Sequence, residues 1–153
     1  MRIRRATPGD IGDVLAIFHS TYEATWKPEL TATAIARFES SGRTLHYVTQ
    51  RIRAMCVAEL RGSTVAVVDW DGDFINALHV YPQHQGHGAG SQLLAHAERS
   101  IAAAGYAQAR LETDTFNRPA LAFYAQHGYR ETGRCPDEEW HSGFTTVKMA
   151  KYL

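Results

Sequence analysis

Only two cysteines, Cys56 and Cys135, occur in 153 residues, and they form no Cys-x-x-Cys pair. A disulfide-built secreted scaffold is therefore not expected, and a reducing compartment, most simply the cytoplasm, is. Net charge is lacking too, because 16 Lys plus Arg balance 16 Asp plus Glu. Without a basic field nothing holds a polyanion nonspecifically, so nucleic acid is not an expected partner. No run approaches the ~18 apolar residues of a membrane span, and the stretch MRIRRATPGD turns polar where a signal peptide needs its apolar core. A membrane partner is not expected either. Repeats, low-complexity tracts and linkers are missing, and the length suits one domain, expected over residues 1–153.

What is present alternates between helical and strand patterns. A short strand precedes a helix for which Thr7 is the N-cap, Pro8 the first position and Asp10 the closing member of a capping box, with Ile11, Val14, Leu15 and Phe18 on one face. Two shorter helices are expected at 32–39 and 44–53, the second carrying Leu45, Val48 and Ile52 at helical spacing. MCVAEL, TVAVVDW and FINALHV read as an antiparallel meander turning at Arg61-Gly62 and Asp71-Gly72. Leu93, Leu94, Ala97 and Ile101 mark a helix that Gly105 ends, AQARLETD alternates as a strand, Asn117 caps a last helix ended by Gly128, and TTVKM returns as a final strand. A strand, loop, helix, strand unit requires a crossover pairing, which makes this an α/β domain around a mixed sheet.

The chemistry is written first in HVYPQHQGHGAGSQLL, where Gly86, Gly88 and Gly90 recur at every second position just ahead of a helix. Glycine lets the backbone approach a ligand or turn with positive φ, and the N–H groups at the start of the following helix form a ready anion site. A Walker A loop is excluded because no lysine follows these glycines, and a dinucleotide fingerprint fails because Leu93 stands where its third glycine belongs. His79, His84 and His87 have no cysteine or carboxylate at a known ligand spacing, so no metal is expected.

These residues resemble the GNAT superfamily of N-acetyltransferases, which use acetyl-CoA. The family's signature of Gln or Arg, two residues, Gly, one residue, Gly or Ala stands here as Gln85, Gly88 and Gly90. A second stretch, NRPALAFYAQHGY, matches another family element through Asn117, Ala120, Phe123, Tyr124, Gly128 and Tyr129. The resemblance implies an α/β (α+β) fold with a mixed, mostly antiparallel central sheet, helices on both faces, and two strands splayed at the acetyl-CoA site. It places pantetheine between Leu78 to Val80 and Leu111 to Thr113, and the CoA pyrophosphate on the main chain of Gln85, Gly86, His87, Gly88, Ala89 and Gly90 and on the helix from Ser91. Asn117 would contact CoA, a backbone N–H at His79 or Val80 would face the thioester carbonyl, and Tyr124 would donate to the sulfur.

Acetyl transfer also needs a proton acceptor, since an alkyl ammonium has a pKa near ~10.4. Relatives that carry a base on the strand before the loop place it where Phe74 and Asn76 stand here, and neither can serve. Glu112, five residues before Asn117, is the candidate, with His79 the alternative acting through water. The acceptor would meet Tyr22, Trp26 and Trp140 as apolar walls, with Glu23, Asp137, Glu138 and Glu139 attracting a cation, although aromatics are as often core and acids as often solvated surface. His84, His87 and His127 read as solvated. The expected function is therefore acetyl transfer from acetyl-CoA to a primary amine of a small molecule or peptide in a ternary complex. The alternative is an acyl-CoA-binding module that performs no transfer, and a homodimer is compatible with either.

Overall fold

The computed structural model describes residues 1–137 and 143–153. Trp140, Glu138 and Glu139, expected near the acceptor, lie outside the described residues. Strand β1 (Arg2–Arg5) leads through a 3-10 turn at Pro8–Asp10 into α1 (Ile11–Thr21). Asp10 is nearly buried and accepts the Thr7 backbone N–H at 2.8 Å and two guanidinium N–H groups of Arg4 at 2.7 and 2.8 Å. That pairing holds the Asp10 carboxyl down to about 2 and ties the start of α1 to the first strand.

Helix α1 continues into a π turn, Tyr22–Trp26, before α2 (Ala32–Ser41) and α3 (Arg43–Arg51). Thr31 caps α2 by accepting the Ala34 N–H at 3.2 Å, and Gly42, at φ +67°, turns the chain into α3. The expected stripe on α3 needs one correction. Val48 and Ile52 are buried, but Leu45 is 56% exposed, and Tyr47 packs on that core instead because its hydroxyl reaches a buried carboxylate.

The meander is β2 (Cys56–Leu60), β3 (Ser63–Asp71) and β4 (Phe74–Val80). Then follow α4 (Ala89–Ala103), β5 (Gln108–Asp114), α5 (Arg118–Gln126), β6 (Arg130–Pro136) and β7 (Thr145–Tyr152). The described residues form one seven-stranded sheet in the order β1-β2-β3-β4-β5-β7-β6, antiparallel throughout except between β4 and β5. Strand β6 was not expected, because RETGRCP contains glycine and proline and shows no apolar alternation. It forms at the edge by pairing with β7 alone.

Helices cover both faces. Leu93, Leu94, Ala97 and Ile101 of α4, each fully buried, pack with Leu121 and Phe123 of α5 on one face. Val14 and Ile17 of α1 and Val48 of α3 pack on the other. Burying each large aliphatic side chain contributes about 1.5–3 kcal/mol, so α4 alone anchors the glycine loop firmly to the sheet.

One irregularity shapes everything at the site. Asp69 pairs with Ala77 and Trp70 with Ile75, which leaves Asn76 as an extra residue on β4. Such a bulge bends a strand and increases its twist. Strands β4 and β5 pair only at Phe74 with Arg110 and Ile75 with Leu111, and their C-terminal halves diverge. Asp73 and Arg110 pin the closed end through side-chain contacts of 2.8 and 2.9 Å and an Arg110 backbone N–H to Asp73 carbonyl bond of 2.8 Å.

Candidate active site

The diverging halves of β4 and β5 open toward the glycine loop at one end and the helical face of α1, α2 and α3 at the other. A cavity of about 540 Å³ occupies this opening, and among its lining residues are Tyr22, Trp26, Leu78, His79, Glu112, Asn117 and Tyr124. Seven residues expected to act at the site, drawn from four separate segments, thus face one space. A second cavity of about 360 Å³ adjoins it and shares Phe18, Tyr22 and Phe38.

The loop is a built feature. Gly86 and Gly88 have φ of +82° and +89°, conformations other residues rarely adopt, and the Gln85 side-chain amide donates to the Val80 carbonyl at 3.2 Å, folding the loop back on β4. Helix α4 begins at Ala89 rather than at Ser91, with Gly88 as its cap and the first helical bond from Gln92 N–H to Gly88 carbonyl at 3.0 Å. The N–H groups of the first turn therefore precede that bond and are oriented as an anion cradle, which the pyrophosphate of CoA would fit. Gly90 has a different setting. A Cβ there would touch Phe123 Cζ at 3.4 Å and Val80 Cγ2 at 3.6 Å, ordinary contact distances, so α5 and β4 limit the room beside this residue.

His127 also departs from expectation. It is half-buried, stacked at 4.3 Å on Phe123, with Nδ1 2.7 Å from the Phe123 carbonyl and Nε2 2.9 Å from Ser91 Oγ. A carbonyl only accepts, so Nδ1 carries a hydrogen, and the ring links the end of α5 to the first turn of α4. Asn117 accepts the Ala120 N–H at 3.3 Å as the cap of α5, which presents Tyr124 to the cavity two turns later. Burial pushes the Tyr124 phenol up to about 12, so it stays protonated through the neutral range.

Glu112 points away from the core that receives Ala109 and Leu111, and it is exposed at the cavity wall. His79 stands on the other side, its ring 4.2 Å from Phe18 and 5.6 Å from Trp26. Thr21 donates its only hydroxyl hydrogen to the Phe18 carbonyl at 3.1 Å, so at 2.7 Å it accepts Nδ1–H from His79, which leaves Nε2 as the acceptor on the ring. Burial pulls His79 down to about 4, which keeps the ring neutral at pH 7.

That shift has a consequence for stability. The unfolded chain protonates this imidazole below 6.5 whereas the folded one resists until about 4, so the stabilisation is complete above 6.5 and is lost as pH falls toward 4. The 2.5-unit interval, 6.5 minus 4, corresponds to about 3 kcal/mol at most. His79→Phe keeps the stack on Phe18 and removes the titration. Urea unfolding at pH 7 and pH 4.5 should show a smaller loss of stability for His79→Phe than for the unmodified chain, and equal losses would remove His79 as the cause.

Several site groups were not recognised from the sequence. Phe18, Phe38 and Tyr47 complete the wall, and Asp69, fully buried on β3, accepts from the Tyr47 hydroxyl, from Arg51 at 2.9 and 3.2 Å and from the Asn76 amide at 3.1 Å. Asn76, unable to act as a base, therefore anchors the bulge. The aspartate inside the apolar run TVAVVDW was the available signal, because a carboxylate in a buried strand requires partners.

A family model described as the acetyltransferase (GNAT) family matches residues 12–129. Among solved structures, the chain is similar to a GCN5-related N-acetyltransferase from Rhodopseudomonas palustris, with a TM-score of 0.82 at 22% identity over 99% of this chain and 95% of that one. It is similar to the PaiA N-acetyltransferase from Thermoplasma acidophilum, solved in complex with coenzyme A, with a TM-score of 0.77 at 18% identity over 99% and 98% of the two chains. It also resembles the ribosomal-protein-alanine N-acetyltransferase from Brucella melitensis, with a TM-score of 0.73 at 20% identity over the whole of both chains. At these identities the likeness is one of fold.

Proposed function

The chain belongs to the GNAT acetyltransferase family, and on that premise we propose that it transfers the acetyl group of acetyl-CoA directly to a primary amine within a ternary complex. The observation that carries this reading is the divergence of β4 and β5 beyond Ile75 and Leu111, which leaves two strand edges leading from the first turn of α4 to Glu112 and Tyr124. Main-chain groups on those edges suit the amides of a pantetheine arm, and the cradle at α4 suits its pyrophosphate.

Acetyl-CoA supplies a thioester, an acetyl group already activated toward amines. Around it, each residue has a task. Glu112 takes a proton from the acceptor nitrogen, the N–H of His79 or Val80 faces the carbonyl oxygen, and the Tyr124 hydroxyl donates to the sulfur. Nitrogen forms the new bond to the carbonyl carbon, the carbon–sulfur bond breaks, and sulfur leaves with the electron pair. A phenol near 12 is a weaker acid than a thiol near ~8.5, so Tyr124 acts by donating a hydrogen bond as charge develops rather than by surrendering its proton outright.

Two measurements test the reading. Coenzyme A should bind in a calorimetric titration, and acetyl-CoA with a panel of primary amines should release thiol. Binding without thiol release would leave an acyl-CoA-binding module and no transferase. Tyr124→Phe retains ring and packing, so its single-turnover rate should fall ~10-fold or more, the worth of one hydrogen bond to a charged group, with coenzyme A affinity nearly unchanged. Equal single-turnover rates would return Tyr124 to a packing role.

A further inference from the structure

The walls of the acceptor side carry chemistry that narrows the amine. Phe18 from α1, Tyr22 and Trp26 from the π turn, Phe38 from α2 and Tyr47 from α3 surround the space in front of His79. Their rings pack on one another: Tyr47 lies 6.0 Å from Phe18, Phe18 4.2 Å from His79 and His79 5.6 Å from Trp26, while Tyr22 lies 4.7 Å from Phe38. Polar atoms on these walls are turned toward the protein. Trp26 Nε1–H donates to Asp114 at 3.2 Å, the Tyr47 hydroxyl and the Asn76 amide donate to Asp69, and His79 Nδ1–H donates to Thr21. A ligand there meets ring face and aliphatic side chain, together with His79 Nε2, the Glu112 carboxylate and the polar side chains of Arg43, Thr44, His46 and Gln50 on the α3 side.

We infer that the acceptor is a small molecule in which the primary amine is joined by a short chain to an aromatic ring. This rests on the proposed acetyl transfer at the same site. An aromatic body stacks against the ring faces, buries apolar surface and places its amine toward Glu112, with the adjoining 360 Å³ cavity behind Phe18, Tyr22 and Phe38 as room for ring substituents. A peptide chain brings amide N–H and carbonyl groups along its whole length, and those laid against the ring faces of Phe18, Trp26 and Phe38 would lose water without gaining partners. A polyamine brings further ammonium groups, but the carboxylates of Asp69 and Asp114 are already engaged by Arg51, Tyr47, Asn76 and Trp26.

The test compares kcat/KM of the full chain, with acetyl-CoA saturating, for 2-phenylethylamine, ethylamine, spermidine and a short peptide with a free N-terminus. Burial of the phenyl group should favour 2-phenylethylamine over ethylamine by about 10- to 100-fold. That ratio should shrink in Trp26→Ala and in Phe38→Ala; because it compares two amines on the same variant, partial loss of folded protein cancels. Spermidine or the peptide outperforming 2-phenylethylamine, or a ratio unchanged in both variants, would overturn the assignment while leaving acetyl transfer intact. Failure of 2-phenylethylamine to bind the coenzyme A complex in calorimetry would overturn it as well. Thiol release with none of the four, despite bound coenzyme A, would instead sink the transferase reading on which it rests.

Discussion

Glu112→Gln is expected to lower kcat/KM for acetyl transfer by ~10² or more and to erase the acidic limb of the pH profile, within the range for lost general-base catalysis. The amide matches the carboxylate in shape, so packing is kept and only proton acceptance is lost. Its position makes the substitution clean. Alternation along β5 sends Ala109 and Leu111 into the core and leaves Glu112 exposed at the cavity, while Arg110, on the same face, is occupied by Asp73. An exposed carboxylate can take a proton from an ammonium and pass it to solvent, whereas charging the His79 ring works against the burial that holds it near 4. Coenzyme A affinity should not change. A variant with full activity and the same acidic limb would move the role to His79 Nε2 or to water.

The second large effect is expected from Gly88→Val, which should weaken coenzyme A binding by ~10² or more without unfolding the chain. At φ +89° a β-branched residue is strained by about 1–3 kcal/mol, and no steric clash is needed to produce this, since a Cβ would meet only the Gln92 side chain at 3.9 Å. The strain is relieved by turning the peptide at the cap of α4, which re-aims the N–H groups that make the anion cradle. Leu93, Leu94, Ala97 and Ile101 hold the rest of α4 on the sheet, so circular dichroism should stay unchanged. Unaltered affinity in a calorimetric titration would take the pyrophosphate away from this helix end. Gly90→Val would be a poorer probe, because it also pushes against Phe123 and Val80 and so disturbs α5 and Tyr124.

The contrast between these two glycines marks where sequence reading stops. That Gly88 must be glycine is a property of one backbone angle beside one helix, and such local requirements were readable: the cap at Asn117 acts on an N–H group three residues away, the α4 stripe repeats at helical spacing, and the two family elements lie within a few residues each. By itself the sequence determined the order of most elements and the glycine-rich start of α4, and through its family resemblance it singled out Glu112, His79 and Tyr124 as candidates. Only the tertiary structure decided what stands beside Gly90, since Phe123 arrives from 33 residues later, and why His127 is half-buried, since Ser91 is 36 residues away. The bulge at Asn76 needed Asp69, Arg51 and Tyr47, three contributions from α3 and β3 that no periodicity of FINALHV announces. Strand β6 exists because β7 offers an edge, and the aromatic chamber exists because α1, α2 and α3 return over the opening between β4 and β5. Local signals arise from neighbours along the chain, but a bulge, an edge strand and a pocket wall are set by partners that only folding brings within hydrogen-bonding or packing distance.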